Sequence, residues 1–379
     1  HFLQIPGPTN VPDRVLRAMD RAMMDHRSPE FGEMTLRILP RLQQIFDCTG
    51  PVAMFPGAGH GAWEAAMSNT LKNGDKVVAF DNGQFAVQWN NVAAYLGLEV
   101  ELIPTDWRRP VDPASLAERL EADGSHDIKA VMVVHNETST GVRNDIAVVR
   151  AAMDSTGHPA LLLVDAVSSL ASMAYHHDKW GVDVTVCGSQ KGLMLPPGIC
   201  FNAISEKALA VSEAGAMGRY QYHWKPVLTM SEKGYYPYTP PTGLFFGLDE
   251  SLDMLFEEGL TNVVDRHARL AEATRRAVRG WGLEIYCADD AAYSDTVTGI
   301  IMPDGHSGDA MRRIAYESYN LSLGSGLGPL ADKIFRIGHL GDLNELMLMG
   351  ALSGVELALG DAGAPFEKGG VAAALDFFG

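Results

Sequence analysis

The chain has 379 residues, of which 46% are hydrophobic, and this length and composition allow a sizeable core divided between two packed domains. Its 47 acidic and 30 basic residues give a net charge of -17, and such a surface repels phosphate backbones and anionic lipids. The sequence contains no run of about 18 apolar residues that would predict a transmembrane helix. We therefore expect neither nucleic acid nor a membrane among its partners.

The four cysteines, Cys48, Cys187, Cys200 and Cys287, lie far apart, and no two of them form a C-x-x-C pair. Such cysteines are typical of small buried residues in a reducing compartment, so we predict a cytoplasmic protein. No H-E-x-x-H pattern or cysteine–histidine cluster predicts a metal site. The first ten residues lack the pattern of a signal peptide, and because the initial methionine is missing we expect a trimmed or tagged chain.

Short apolar runs between about residues 75 and 205 predict buried strands, and helical patterns separate several of them. Continuous apolar strands alternating with helices indicate a mostly parallel sheet that is covered on both faces. Ligands bind such sheets at the carboxyl ends of the strands. The predicted strands are 76–80, 98–103, 128–135, 160–167, 182–188 and 198–205, and the helices include 85–96 and 145–155.

A long helical pattern over 259–281, with Thr261 as its expected N-cap, predicts the passage into a second domain. The predicted fold class is α/β, with a large domain around the parallel sheet and a smaller C-terminal α+β domain. The C-terminal pattern consists of strands at 296–302 and 334–338 and helices at 308–318 and 343–359. The predicted divisions are an N-terminal segment over 1–15, the large domain over 16–258 and the small domain over 259–379.

Two charged residues stand where predicted strands end. Lys191 follows the strand 182–188 and is the only charge between Asp183 and Glu206. Burial lowers the pKa of an ammonium group and suits an amine nucleophile, although an exposed loop lysine would explain the segment equally well. Asp165 closes an all-apolar strand, where it either caps a helix or pairs with a protonated pyridine nitrogen. One strand–connection–strand unit separates the two residues, so we expect both at the same sheet edge.

Two further segments carry candidate binding groups. Residues 56–64, P-G-A-G-H-G-A-W-E, form a glycine-rich turn before a helix, which either presents N–H groups to a phosphate or serves only as a turn. The segment matches neither a Walker loop nor a dinucleotide fingerprint. Arg336 lies inside an apolar strand, where it either clamps the carboxylate of a ligand or forms an internal salt bridge.

The order of these four features resembles that of the class V aminotransferases, which have the fold-type I architecture and use pyridoxal 5'-phosphate. More narrowly, the chain is similar to the serine–glyoxylate and alanine–glyoxylate aminotransferases. The matching segments span nearly the whole chain, and they are P-G-P-T-N at 6–10, D-H-R-S at 25–28, H-N-E-T-S-T-G at 135–141, V-D-A-V-S-S at 164–169, G-S-Q-K at 188–191, Y-P-Y-T-P-P at 236–241 and R-I-G-H-L-G at 336–341.

The resemblance implies a role for each matching residue. It implies that Lys191 carries the cofactor as a Schiff base, that Asp165 pairs with the pyridine nitrogen and that Arg336 binds the substrate carboxylate. It also implies a homodimer with shared active sites, because two residues reach the cofactor phosphate of the neighbouring subunit. The remaining implied contacts are Phe85 on the ring face, Ser139 or Thr140 at the 3-hydroxyl edge, Gly59, His60, Gly61 and Gln190 on the phosphate, and Tyr236 and Thr239 across the subunit boundary.

The implied reaction moves an amino group from a small amino acid, serine or alanine, to glyoxylate by a ping-pong mechanism. Aspartate or pyridoxamine as the donor and pyruvate as the acceptor stay open, because His60 and His223 depart from the pattern of the serine–glyoxylate enzymes. Another superfamily alternative, a cysteine desulfurase, needs a mobile cysteine near 321–333, where this chain has none. A Rossmann dehydrogenase lacks its dinucleotide fingerprint here, and a non-catalytic ligand-binding module would not need every group that the chemistry uses.

Overall fold

The computed structural model describes residues 1–379. None of its helices combines the length and the apolar character needed to span a bilayer. The strands are β1 Phe2–Gln4, β2 Val52–Gly57, β3 Lys76–Asp81, β4 Glu99–Pro104, β5 Ile128–Val134, β6 Asn136–Glu137, β7 Val142–Arg143, β8 Leu161–Asp165, β9 Val184–Gly188, β10 Gly198–Ile204, β11 Val297–Ile301, β12 Leu321–Ser325 and β13 Ile334–Gly338. The α-helices are α1 Asp13–Met19, α2 Pro29–Phe46, α3 Gly59–Thr70, α4 Gln84–Tyr95, α5 Pro113–Glu121, α6 Ile146–Thr156, α7 Glu206–Ala214, α8 Trp224–Ser231, α9 Thr242–Glu258, α10 Leu260–Gly280, α11 Gly308–Tyr319, α12 Glu345–Asp361 and α13 Gly370–Phe378.

A seven-stranded sheet in the order β2-β10-β9-β8-β5-β3-β4 forms the centre of the larger core. Neighbouring strands from β4 to β9 are parallel, whereas β10 is antiparallel to both β9 and β2. β8 and β9 pair with Asp165 opposite Val186, so both strands end at the same edge of the sheet. The predicted α/β class with a mostly parallel sheet is confirmed.

All six predicted strands of this sheet form, with bounds that agree to within two residues. The interiors of five of them are buried on both faces, which is why continuous apolar runs mark them in the sequence, whereas the edge strand β4 is partly exposed. The seventh strand, β2, was not predicted, because its last residues are Pro56 and Gly57 of the glycine-rich turn. β10 pairs with β2 from Gly198 opposite Gly57, and this pairing places the turn beside β9.

A second sheet of four strands has the order β1-β12-β13-β11. β1 comes from the first residues of the chain and pairs in parallel with β12, from Phe2 opposite Leu321 to Gln4 opposite Leu323. The chain therefore begins in the smaller sheet before it enters the larger one. Neither β1 nor β12 was predicted, because β1 has three residues and β12 reads L-S-L-G-S, which is only weakly apolar.

The buried apolar residues form two clusters that meet along α10. The larger cluster has 68 residues and extends from Val15 to Val263, and the smaller one has 27 residues, most of them beyond Leu270. The predicted N-cap of α10 at Thr261 is wrong, because Gly259 with φ 87° ends α9 and begins α10 directly. The predicted divisions at 15/16 and 258/259 stay predictions.

Candidate active site

A cavity of about 210 Å³ opens at the carboxyl ends of β8 and β9, beside the first turns of α3 and α4. A larger cavity of about 520 Å³ lies near the amino ends of β5 and β8, and no predicted site residue lines it. Six predicted site residues line the smaller cavity, namely Gly59, His60, Phe85, Asp165, Gln190 and Lys191. The other lining residues are Gly7, Pro8, Trp63, Val134, Asn136, Thr138 and Val167.

Lys191 is buried, with 8% of its surface exposed, and its Nζ donates a hydrogen bond to the carbonyl of Pro6. Burial, together with the positive charge of Arg336, lowers the pKa of Lys191 to about 8, although Asp165 acts in the opposite direction. The close approach requires Gly7, because a Cβ at that position would overlap the lysine side chain. Near neutral pH this amine therefore has a substantial neutral fraction, as a nucleophile or a general base needs.

Asp165 ends β8 as a buried carboxyl group on the wall of the same cavity. Its Oδ2 accepts a hydrogen bond from Nε1 of Trp63 at 2.7 Å, and its Oδ1 accepts one from the backbone N–H of Val167 at 2.7 Å. Burial raises the pKa of Asp165 to about 7, and the two hydrogen bonds oppose that rise. No cationic group of the chain lies within 4 Å of this carboxyl group, so a positive group in the cavity would find a ready partner.

The turn before α3 places backbone N–H groups at the cavity. Gly59 and His60 belong to the first turn of α3, whose N–H groups lack acceptors within the helix, and both residues line the cavity. Gly61 does not line it, and its N–H donates to the carbonyl of Ala58 at 2.9 Å. A Cβ at Gly61 would lie 2.7 Å from the Tyr222 hydroxyl, so this glycine provides room for Tyr222.

Gln190 supplies the clearest sign of a missing polar group. Its side-chain oxygen is buried and has no hydrogen-bond partner within the chain, although Gln190 lines the cavity opposite the first turn of α3. Buried polar atoms are almost always paired, so an unpaired one on a cavity wall indicates a ligand or water. The unpaired oxygen itself calls for a donor, whereas the amide N–H groups of Gln190 and the two free backbone N–H groups fit the phosphate of pyridoxal 5'-phosphate. The buried carboxylate and the buried amine fit its ring nitrogen and its aldehyde.

Phe85 is held at the cavity by a carboxylate that the sequence did not identify. Glu137 is fully buried, and its Oε2 accepts from the N–H of Ala86 at 3.0 Å while its Oε1 accepts from the N–H of Phe85 at 3.4 Å. This carboxylate caps α4 from outside, because the N-cap residue Gly83 has no side chain. A Cβ at Gly83 would overlap Glu137. The only feature of the sequence that could have indicated this role of Glu137 was its acidic side chain in an otherwise uncharged segment.

Ser139 and Thr140 are fully buried, and neither lines the cavity. The Ser139 hydroxyl donates to Glu137 at 2.6 Å, and the Thr140 hydroxyl donates to the Glu137 carbonyl at 3.2 Å. The preceding residue, Thr138, lines the cavity, and its hydroxyl donates to Ser168 at 2.7 Å. All three hydroxyls belong to one motif, and its spacing does not indicate which of them faces the cavity.

Arg336 lies in β13 with 5% of its surface exposed. Its Nε donates to the carbonyl of Ser325 at 2.7 Å, and its Nη1 donates to the carbonyl of Thr138 at 2.7 Å. No carboxylate lies within 4 Å, so the alternative of an internal salt bridge is not realised. Burial lowers the pKa of Arg336 to about 10, while the nearby Glu137 acts in the opposite direction, and the guanidinium stays charged at neutral pH.

Tyr236 and Thr239 lie away from this cavity. Tyr236 is buried against Phe245, with ring centroids 5.4 Å apart, and its hydroxyl has no hydrogen-bond partner within the chain. Thr239 is exposed. Their contact with the cofactor of a neighbouring subunit stays a prediction.

Comparison with known proteins identifies the family. Residues 48–328 match the model of the aminotransferase class-V family. The chain belongs to this family. The aminotransferase is 48% identical over 384 residues to serine–glyoxylate aminotransferase of Methylorubrum extorquens, and the match covers 100% of the chain and 96% of the relative. It is 43% identical over 376 residues to L-aspartate–glyoxylate aminotransferase of Paracoccus denitrificans, and the match covers 99% of the chain and 95% of the relative.

Solved structures agree with this assignment. Pyridoxamine–pyruvate aminotransferase of Mesorhizobium loti superposes on the aminotransferase with a TM-score of 0.93 at 29% identity, covering 100% of this chain and 97% of that one. The predicted class V membership, the fold-type I architecture and the transaminase activity are confirmed. Membership of the family implies pyridoxal 5'-phosphate as the cofactor.

Proposed function

We propose that this class-V aminotransferase holds pyridoxal 5'-phosphate in the 210 Å³ cavity and transfers an amino group from serine or alanine to glyoxylate. The observation that carries this proposal is that one buried amine, Lys191, and one buried carboxyl group, Asp165, line the same cavity. The relatives named for serine and for aspartate share glyoxylate as the acceptor, which supports glyoxylate here. Aspartate and pyridoxamine are the alternative donors, and pyruvate is the alternative acceptor.

The proposed binding residues lie in three parts of the cavity, and each part would contact a different part of the cofactor. Nζ of Lys191 would be the point of attachment, and the carboxylate of Asp165 would accept a hydrogen bond from the protonated ring nitrogen. The N–H groups of Gly59 and His60, at the positive end of α3, bind the phosphate together with the amide of Gln190. The ring of Phe85 covers one face, and the hydroxyl of Thr138, rather than Ser139 or Thr140, lies at the ring edge.

When bound, the cofactor supplies an electron sink that stabilises negative charge at the Cα atom of the amino acid. Arg336 binds the substrate carboxylate and so orients the Cα–H bond toward Lys191. Lys191, with its lowered pKa, takes the proton from Cα as a general base and later returns one as a general acid. Asp165 keeps the ring nitrogen protonated throughout. Because Arg336 accepts the donor and the keto acid in turn, the proposal predicts ping-pong kinetics.

We also propose a homodimer in which Tyr236 and Thr239 reach the phosphate of the partner's cofactor. The exposure of Thr239 supports this arrangement. The hydroxyl of Tyr236 is buried and unpaired within its own chain, so its contact with a partner would require the side chain to turn outward. The cytoplasmic location stays a prediction.

The decisive experiment follows the absorption band of the protein loaded with pyridoxal 5'-phosphate. Serine, alanine and aspartate are added singly, with glyoxylate or pyruvate as the acceptor, and the amino acid product is measured. Lys191→Ala should lose turnover completely while keeping its fold by circular dichroism. Lys207→Ala, at the opposite edge of the sheet, should behave as wild type. Full turnover by Lys191→Ala would contradict the assignment, and a band that no amino acid changes would favour a ligand-binding module.

A further inference from the structure

The first turns of α3 carry a tryptophan that neither the sequence motifs nor the proposed reaction uses. Trp63 stands four residues after Gly59, so both lie on the same face of α3, and both line the cavity. Trp63 is 2% exposed, and its indole N–H donates to Oδ2 of Asp165 at 2.7 Å. Apart from Val167, it is the only donor to this carboxyl group within the chain.

The two donors to Asp165 favour its charged form. One N–H reaches each carboxyl oxygen, from Trp63 to Oδ2 and from Val167 to Oδ1. A protonated carboxyl group would have to direct its own O–H toward one of these N–H groups or away into the cavity, whereas a carboxylate accepts from both and retains lone pairs for a third donor. Burial acts in the opposite sense, since it favours the neutral acid.

The indole of Trp63 is also fixed in place by its neighbours. Its ring lies 4.5 Å from that of His60 and is stacked on Trp89, with centroids 5.9 Å apart and an interplanar angle of 12°. Trp89 is equally buried, but its indole N–H has no hydrogen-bond partner. The two tryptophans therefore share burial, ring type and stacking, and they differ in that Trp63 lines the cavity beside His60 and donates to Asp165.

We propose that Trp63 is a positioning residue that keeps Asp165 ionised and directed at the ring nitrogen of the cofactor. The inference rests on the proposed function, because it assumes that Asp165 faces that nitrogen. The N-terminal part of α3 then serves both ends of the cofactor, with backbone N–H groups at the phosphate and one indole N–H behind the carboxylate. No motif predicted this role, since the hydrogen bond joins residues 102 positions apart in the sequence.

The test compares Trp63→Phe with Trp89→Phe in the apoprotein. Each is titrated with pyridoxal 5'-phosphate and with the analogue in which a C–H group replaces the ring nitrogen. Loss of a hydrogen bond to a charged group should weaken binding of the natural cofactor by about tenfold or more in Trp63→Phe. The analogue has no ring nitrogen, so its affinity should not change. Trp89→Phe should leave both dissociation constants unchanged.

A pH series separates this role from simple packing. Without the indole donor, the pKa of Asp165 should rise further, so the affinity deficit of Trp63→Phe should be larger at pH 6 than at pH 9. The proposal would be overturned if Trp63→Phe and Trp89→Phe lost the same affinity for the natural cofactor. It would also be overturned if Trp63→Phe lost as much affinity for the analogue as for the natural cofactor. If Trp63→Phe does not fold, benzothienylalanine at position 63 removes only the N–H. A wild-type protein that does not bind pyridoxal 5'-phosphate would instead refute the proposed function.

Discussion

Lys191 and Asp165 are two buried ionisable groups that line one cavity without forming an ion pair within 4 Å of each other. Burial moves their pKa values toward neutrality from opposite sides, to about 8 for the lysine and about 7 for the aspartate. Strongly shifted pairs of this kind are concentrated at functional sites. In this protein each shift suits its proposed task, a neutral amine for proton transfer and a carboxylate that a cationic ring would stabilise.

The raised pKa of Asp165 predicts that the free energy of unfolding of the apoprotein decreases as the pH rises. Its value in the folded state, about 7, lies above the 3.8 of an unperturbed aspartate. The stability that the neutral acid contributes is therefore complete below about pH 4 and is lost as the pH rises to about 7. Asp165→Asn should stabilise the apoprotein against urea, by roughly a few kcal/mol at pH 8 and by less at pH 5.

Asp123→Asn is the control of opposite sign for this prediction. Despite burial, which acts in the other direction, the hydrogen bonds from Ile128, Asp127 and His158 lower the pKa of Asp123 to about 2. That variant should lose stability, and the loss should be greater at pH 7 than at pH 3. Urea midpoints that change equally with pH in wild type and Asp165→Asn would contradict the burial argument.

Substitution of Arg336 should weaken the binding of substrates more than the binding of the cofactor. Its Nε and Nη1 are held by two backbone carbonyls, which leaves Nη2 without a partner in the chain. Arg336→Ala should raise the KM values of the amino acid and of glyoxylate by about tenfold to a hundredfold, because a charge-assisted carboxylate contact is lost. Arg336→Lys should recover only part of that loss, since a lysine does not reproduce the two-pronged geometry.

Arg312→Ala provides the matched control for Arg336. Neither Arg312 nor Arg336 lines the 210 Å³ cavity, but Arg312 pairs with Asp309 and donates to the carbonyl of Leu323, whereas Arg336 has no carboxylate partner. The KM values and the cofactor affinity of Arg312→Ala, from steady-state kinetics and cofactor titration, should both stay close to those of wild type. Equal losses of cofactor and substrate affinity in Arg336→Ala would contradict a substrate clamp.

Helix N-termini with and without a side-chain cap both occur in this molecule, and α1, α8, α9, α10 and α13 lack a cap although they lie outside the site. α6, α7 and α11 each begin with a side-chain cap, from Asp145, Ser205 and Ser307 respectively. α3 has no side-chain cap, since its N-cap is Ala58, and its first N–H groups face the cavity. An uncapped helix start is less stable by about 1 kcal/mol unless an anion occupies it. The position of this uncapped start at the cavity, rather than the missing cap itself, supports a phosphate at α3.

The cap of α4 by Glu137 makes Gly83 sensitive to substitution. Gly83→Ala places a Cβ against the Glu137 side chain, so the protein should be destabilised by about 1–3 kcal/mol and Phe85 should shift. The cofactor should then dissociate more readily. Gly243→Ala, in α9 where a Cβ meets nothing within 4 Å, should leave stability unchanged or raise it by about 0.5–1 kcal/mol. Thermal unfolding and cofactor dialysis measure both effects, and a Gly83→Ala protein as stable as Gly243→Ala would contradict the overlap.

Most elements of the large sheet were predictable, because strands buried on both faces are continuous apolar runs with polar turns between them. β1, β2 and β12 were not predicted, and neither were the short strands β6 and β7 or the helices α1, α2, α5, α7, α8, α9 and α13. The first three are short or contain Pro, Gly and Ser, so each is stabilised mainly by its partner strands rather than by its own composition. Local pattern does not record such pairing.

At the scale of the whole molecule, the N-terminal segment completes the site. After β1 the chain passes over the cavity, where Gly7 and Pro8 line it and the carbonyl of Pro6 accepts from Lys191. The cavity is therefore lined by residues at the edge of the larger sheet, by the first turns of α3 and α4 and by the segment that follows β1. Movement of the two cores relative to each other would change the position of Arg336 with respect to Lys191.

The proposed homodimer predicts that a substitution far from the cavity of its own chain weakens cofactor retention. Thr239→Ala should weaken cofactor retention because Thr239 reaches the partner's site, whereas Thr261→Ala, which is also exposed, should not. Ultracentrifugation should give twice the 41.0 kDa of one chain. A 41.0 kDa species with full activity, or equal retention in both variants, would contradict the shared site.

The sequence by itself determined the family and the α/β class, and it predicted Lys191, Asp165 and Arg336 as the central groups, because each stands in a local motif or at the end of an apolar strand. Only the tertiary structure decided that Thr138 rather than Ser139 or Thr140 faces the cavity, that Gly61 accommodates Tyr222, and that Trp63 and Glu137 support the site. Which side a loop residue faces depends on contacts from elements many residues away, and linear spacing does not encode those contacts.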